Sequence, residues 1–337
     1  MHIPDAVLSP AVAAATSVIG AAGLAVCSWK LRDQVRERTM VLMGTTAAFV
    51  FAAQMVNFPL FPLPISGHLL GGVLASVLLG PWAGAVVIAA VLIVQALLFG
   101  DGGVTALGAN FINMGLIGAI GGFAIFAPVR RAIAGPRGTL VGAMIAAWFS
   151  VILASGAFAI ELAASVGWSG FWNVLAWMAL VHAAIGLGEA LITGAVLRFL
   201  LLMRPGLIDH SGDAAKSTLG RWREIVMGGL GVACAVALFL APFASEYSDG
   251  LEWVGDKLGF IKEEPSVLSA PIPDYQLSLP GLSGVKAATA VAGVVGTLVV
   301  FATGFALAAI FARGTTPRAR VDKPKARVDQ SKTQAEV

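Results

Sequence analysis

Charge is what this sequence has least of. Only 12% of its 337 residues are Asp, Glu, Lys or Arg, while 58% are hydrophobic and the mean hydropathy is +0.85. A soluble domain carries about a quarter charged residues, so a soluble globular fold is excluded and a polytopic membrane protein remains. Between Thr39 and Val129 the one formally charged side chain is Asp101, a stretch that holds several helices of the roughly 20 apolar residues a bilayer requires. The basic excess is small, 22 Lys+Arg against 19 Asp+Glu. It lies mostly in short loops and the tail, which reports orientation in a membrane and argues against nucleic acid as a partner. Cysteine is nearly missing. Cys27 and Cys234 both fall in apolar segments, which gives a disulfide framework no support. No Gly-x-x-x-x-Gly-Lys-[Ser/Thr] occurs, so no ATPase phosphate cradle of that kind is encoded here, and no His-Glu-x-x-His pair marks a zinc hydrolase.

What is present is a series of apolar windows, at 8–29, 39–56, 68–79, 82–99, 108–127, 138–165, 173–203, 225–243 and 287–312. The third is too short to cross upright. A secretory leader begins with a basic region, whereas Met1–Asp5 is followed by an apolar run and the basic cluster comes afterwards, so the first window reads as a retained span. Lys30, Arg32, Arg36 and Arg38 put the first loop in the cytoplasm and the N-terminus outside. Alternation then places Arg130, Arg131 and Arg137, the cluster from Arg198 to Arg223, and the tail from Arg313 all inside. It leaves 57–67, 100–107 and an acidic loop at 244–286 outside. The expected architecture is an all-α polytopic membrane protein with a seven-span bundle over residues 1–203. A polar cytoplasmic linker at 204–224 leads to a two-span region at 225–313 that frames the external loop. The basic tail at 314–337 is expected to be disordered, near anionic lipid.

His2 is the most unusual residue. An α-amine at residue 1, the peptide nitrogen of residue 2 and the imidazole of residue 2 can chelate one metal through fused rings once the amide loses its proton. Such strong nitrogen donors in a plane favour Ni(II) or Cu(II) over Zn(II). His68 is a candidate fourth donor, on the same side of the membrane, after a segment whose three prolines forbid regular helix. The plainer alternative is that both histidines are polar interface residues. Asp5, Asp101, Asn110 and Asn113 are candidates to orient a ligand or its imidazoles, since Asn110 and Asn113 at i, i+3 share a helical face. Ordinary interhelical hydrogen bonding is their alternative. His182 and Glu189 lie seven apart on one helix and Glu161 on the preceding span, which fits either a structural polar network or a transport role. Ala11, Ala15, Gly20, Ala21 and Ala25 would allow another helix to pack closely on the first.

Met1-His2-Ile3-Pro4-Asp5 with Leu8-Ser9-Pro10, then Phe61-Pro-Leu-Pro-Ile-Ser-Gly-His68-Leu-Leu-Gly-Gly, then His182-Ala-Ala-Ile-Gly-Leu-Gly-Glu189-Ala-Leu-Ile-Thr-Gly, together resemble the CbiM/NikM family over residues 1–203. These are substrate-specific (S) components of energy-coupling factor ABC importers for cobalt and nickel. The resemblance implies a planar metal site from the Met1 amine, the His2 peptide nitrogen and side chain, and His68. It also implies a transmembrane scaffold subunit and two ATPase subunits as partners, no resident cofactor, Ni(II) or Co(II) as cargo, and a place in the bacterial plasma membrane. The family's usual glycine after Asp5 is Ala6 here. Ser248-Asp-Gly-Leu-Glu252, Ala270-Pro-Ile-Pro-Asp-Tyr275 and the last span resemble the two-span auxiliary component NikN with its PDGLE domain, Ser248 replacing the motif's proline. Two rivals remain open on the residues alone: a membrane enzyme using Glu161, His182 and Glu189, and an ATP-independent metal carrier.

Overall fold

The computed structural model describes residues 1–32, 35, 37–203, 222–261, 267–277 and 284–312. Most of the expected linker and the whole expected tail lie outside the described residues. Apolar helices stand at all nine expected places: α1 (Pro10–Leu31), α2 (Glu37–Gln54), α3 (Gly72–Leu79), α4 (Pro81–Val94, extended by a π-helical turn to Phe99), α5 (Leu107–Asn110) continuing as a π-helical stretch Phe111–Gly121 into α6 (Gly122–Ala132), α7 (Gly135–Val166), α8 (Phe171–Met203), α9 (Trp222–Phe239) and α11 (Val285–Ala312). A short helix, α10 (Gly250–Leu258), lies between the last two. Among the described residues seven helices are long and apolar enough to cross a membrane; α2, whose 18 residues include Glu37 and Arg38, and α3 are not among them.

Burial sorts the helices by neighbour. In the most apolar window of Pro81–Phe99, 78% of residues are buried, against 22% for α1 and 28% for α11. A helix that is apolar all round and buried all round belongs at the centre of a bundle. Helix α8 shows the opposite arrangement, because Leu180, Leu187 and Leu191 are exposed on one face while His182, Glu189 and Thr193 are buried on the other. Its exposed leucines suit lipid and its polar residues face protein, as the cost of polar groups in hydrocarbon requires. Helices α9 and α11 pack on α2, with α11 also reaching α4.

Two expectations need correction. Helix α3 has eight residues, about 12 Å at 1.5 Å per residue, against a hydrocarbon core of roughly 30 Å. The expected third span begins four residues late because Gly71 takes φ +78° and residues 66–70 run non-helical, yet all are buried in protein. Non-helical backbone at membrane depth survives only in such surroundings. The small-residue seam on α1 has a different phase from the one expected: Ala11, Ala15, Ala21 and Ala25 are exposed, and the buried line is Ala13, Thr16, Gly20, Cys27 and Leu31. Gly20 is the buried member of the expected set, in close contact with the backbone of Gly108.

Segments expected on the outer side converge at one end of the bundle. Strand β1 (Phe58–Pro59) pairs antiparallel with β2 (Ser66–Gly67). Ser66 N donates to Ser248 O at 2.9 Å, Ser245 N to Asn57 O at 2.8 Å, and Ile272 N to Leu98 O at 2.9 Å.

Candidate metal centre

The first nine residues fold back into this end of the bundle. Ile3 is fully buried and Met1 only 3% exposed. Asn110 grips the Ile3 backbone from both sides, its Oδ1 accepting from Ile3 N at 2.8 Å and its Nδ2 donating to Ile3 O at 3.1 Å. Gly103 N donates to the same carbonyl at 2.8 Å. Asp5 Oδ1 accepts from Thr105 N (2.9 Å) and Thr105 Oγ1 (2.6 Å), and Oδ2 from Val267 N (3.3 Å). Burial would raise the Asp5 carboxyl, but these bonds bring it below its ordinary value. Ala6 sits at φ +66°, the left-handed region that costs a residue with a Cβ about 1 kcal/mol. That is the position where the resembling family has glycine.

His68 is held from below by α2 and α8. Gln54 Nε2 donates to Leu70 O at 2.8 Å, while the two carboxyl oxygens of Glu189 accept from Leu70 N (2.5 Å) and Gly71 N (3.0 Å). The backbone N–H groups just ahead of α3, in a segment buried in protein, are thereby satisfied. The His68 Nδ1–H donates to Leu69 O at 3.0 Å, which leaves the Nε2 lone pair free. Nε2 lies in hydrogen-bond contact with the Met1 amine.

A chain of amides fixes the tautomer of His2. Leu70 O can only accept, so Gln54 must present its NH2 there and its Oε1 to Gln95 Nε2 at 2.8 Å. Gln95 must then present Oε1 to His2 Nε2 at 3.1 Å, so Nε2 carries the proton and Nδ1 is left with a lone pair. Nδ1 is the nitrogen that closes a six-membered chelate ring with the His2 peptide nitrogen. It faces Asp101 Oδ1 at 3.1 Å, and Asp101 Oδ2 accepts from Tyr275 OH at 2.5 Å. Burial, partly opposed by Asp101, pushes the His2 imidazole down to about 4 and keeps it neutral. A lone pair facing a carboxylate is a place that favours a cation.

The two imidazoles stack, with centroids 5.1 Å apart and planes at 15°. Beside them the Met1 ammonium pairs with Asp249 Oδ2 at 2.8 Å. Burial would raise the Asp249 carboxyl; the ammonium, and then His68, hold it well below the usual carboxylate range. A small cavity opens between Met1, His68, Leu70, His182, Ile185 and Asp249. His182 Nδ1 donates to Met178 O at 2.8 Å, leaving its buried Nε2 without a partner at the cavity wall. Among the described residues no three His, Cys, Asp or Glu side chains are arranged to hold a metal.

The structure therefore brings together Met1, His2, His68 and Asp101, with Asp5 and Asn110 securing the N-terminal segment. Neither asparagine has an imidazole as hydrogen-bond partner. Asn110 holds Ile3, and Asn113 Nδ2 donates to Glu161 Oε2 at 2.9 Å; the π-helical stretch from Phe111 breaks the i, i+3 register that would have set them on one face. Glu161, His182 and Glu189 do not form one network, each having its own partners. Sequence reasoning missed Asp249, Gln54, Gln95 and Tyr275. For the two glutamines a signal existed, since each is a lone amide inside an apolar run.

Two families match the chain: one described as cobalt uptake substrate-specific transmembrane region over residues 2–207, and the PDGLE domain over residues 223–313. The chain is 36% identical to a putative fused nickel transport protein NikMN of Archaeoglobus fulgidus, covering 91% of this chain and 98% of that protein. It is 31% identical to the fused nickel transport protein NikMN of Rhodobacter capsulatus, covering 82% and 88%. Among solved structures it resembles a truncated transition metal transporter, with a TM-score of 0.54 at 30% identity over 60% of this chain and 99% of that one.

Proposed function

The chain belongs to the CbiM family of cobalt uptake substrate-specific transmembrane proteins, carries a PDGLE domain behind that region, and from this premise we propose that it captures Ni(II) or Co(II) with four nitrogens and releases it inward for ATP-driven uptake. It is a multi-pass membrane component of metal transport, and its role is not enzymatic. The donors are the Met1 amine, the deprotonated His2 peptide nitrogen, His2 Nδ1 and His68 Nε2. One observation carries the reading: hydrogen bonds elsewhere consume the opposite nitrogen of each imidazole, so both rings have a lone pair to offer beside the amine. Nickel is the preferred cargo, in keeping with the names of the fused relatives and with a planar nitrogen set.

The metal reaches the site from outside, and the N-terminus faces that side, because the basic clusters at Lys30–Arg38 and Arg130–Arg137 stand at cytoplasmic ends. A scaffold subunit and two ATPase subunits on other chains supply the energy, this sequence having no phosphate cradle. Titration of the detergent-solubilised protein with Ni(II) and Co(II), read by visible absorption, tests the site. One equivalent should bind when Met1 is the free terminus and none when residues precede it, while a C-terminal tag should have no effect. Undiminished binding by an extended protein would remove the amine and amide from the donor set. Uptake that proceeds without coexpressed ATPase subunits would replace the importer with an independent carrier.

A further inference from the structure

Three imidazoles meet at this end of the bundle, and hydrogen bonds settle the proton on each. His2 and His68 offer their lone pairs to the proposed donor set. The third ring, His182 on α8, is 1% exposed, and its Nδ1 donates to Met178 O at 2.8 Å, an oxygen that can only accept, so Nε2 keeps a lone pair. That Nε2 has no hydrogen-bond partner among the described residues. A buried acceptor without a donor calls for a reason, since an apolar side chain at this place on α8 would carry no such loss. The ring is also closely packed. A Cβ at Gly250 would stand 3.1 Å from its Cε1, so the imidazole is held at the wall of the cavity that Met1, His68 and Asp249 also line.

We infer that His182 Nε2 is an axial donor of the metal site, a fifth ligand that closes on Co(II) and stays off Ni(II). This deepens the metal-capture reading and rests on it. The Met1 amine, the His2 peptide nitrogen, His2 Nδ1 and His68 Nε2 take every place in a square plane, so a further nitrogen beside the amine and His68 can approach only from above or below it. Electron count then separates the two ions. In a strong planar field Ni(II) has its axial orbital filled and repels a fifth donor, whereas Co(II), with one electron fewer, leaves that orbital half empty and accepts one. His182 thereby opens a planar site suited to nickel to cobalt as well. Asp249 is the other donor-bearing side chain on the cavity, but its Oδ2 pairs with the amine at 2.8 Å and its Oδ1 accepts from Leu251 N and Glu252 N. A lone pair already desolvated and held in place needs no ordering when the ion arrives.

The test uses the full chain with a free Met1 in detergent, loaded with Co(II) under nitrogen and frozen for electron paramagnetic resonance. The unpaired electron of low-spin Co(II) lies along the axis, so one axial nitrogen splits the high-field cobalt lines into triplets, while an axial oxygen leaves them unsplit. Wild type should show the triplets. His182→Asn keeps an N–H for Met178 O and His182→Leu puts an apolar side chain in place of the ring. Both should lose the triplets and bind Co(II) at least about tenfold more weakly, with Ni(II) affinity within about threefold of wild type. Thr193→Val, a buried change on the same face of α8, should behave as wild type. Unsplit lines in a wild type that binds Ni(II) normally overturn this inference alone and give the axial place to water or to Asp249. Triplets that survive in both His182 variants also overturn it, as do Ni(II) and Co(II) affinities that fall together, the result of a packing role, or an equal loss of Co(II) in Thr193→Val. A wild type that binds neither ion removes the metal-capture reading and this inference with it.

Discussion

Gln95 accepts the Nε2 proton of His2 at 3.1 Å and thereby decides which nitrogen of that ring is free. The decision is made two hydrogen bonds away from Gln95, at the Leu70 carbonyl, and is passed on through Gln54. Gln95→Ala should leave the fold intact, since a buried amide is replaced by a smaller apolar group, but should lower Ni(II) affinity by about 10- to 100-fold, as loss of an imidazole's outer partner does. Gln54→Ala should act in the same direction and more weakly. Calorimetric titration checks this; wild-type affinity in Gln95→Ala would mean that the bond to Gln95 does not select the His2 tautomer that binds the metal.

Proton release provides a second test. An amine present as ammonium and a peptide N–H must each lose a proton to bind, whereas the His2 imidazole, held down to about 4 by burial, is already neutral above about pH 5. Its folded value lies below the ordinary one, so it contributes no competition between pH 6 and 7.5. The logarithm of the Ni(II) binding constant should therefore rise with pH across that window by more than one per pH unit, since the peptide N–H and the amine both give up protons to the metal. Measurement in several buffers gives the slope. A value below one would indicate a site made by the two imidazoles without the backbone.

Ala6 gives a test by gain. At φ +66° it is strained where glycine is at ease, so Ala6→Gly should relax the turn between the chelating residues and α1 by about 1 kcal/mol. Hydrogen exchange at residues 3–8 should slow, and Ni(II) affinity should hold or rise. Faster exchange there would show that the loss of chain stiffness in the unfolded state outweighs the strain.

Hydropathy placed the nine apolar helices because lipid contact imposes long apolar runs. It misplaced the start of α3, since the bonds from Glu189 to Leu70 and Gly71 that permit non-helical chain there come from 118 or more residues away. The same limit applies to the site. That Met1, His2 and His68 come together was legible because a position-2 histidine has its own chelate chemistry. Asp249 was not, because the loop that carries it is joined to the His68 segment by scattered bonds and an isolated bridge between Ser66 and Asp249, which leaves no alternation to read. Asn113 was assigned to the wrong neighbour because a π-helical stretch shifts register without a sequence mark.

Glu189 separates a structural role from a chemical one. Its two carboxyl oxygens accept from Leu70 N and Gly71 N, the groups that turn the chain from the His68 segment into α3. Glu189→Gln offers one oxygen and sets an NH2 against the other N–H, which leaves a buried donor unsatisfied at a cost of about 1–3 kcal/mol; Glu189→Ala loses both bonds and should cost more. Because His68 lies two residues before Leu70, slack in this segment should also move Nε2 away from the amine. Both variants are expected to melt at lower temperature in detergent, Ala below Gln, and to bind Ni(II) more weakly in the same order. An acid or base in a membrane enzyme would instead give a Gln variant that is equally stable and retains its metal affinity. That pair of results would remove the capping role and return Glu189 to the set of residues whose function is chemical.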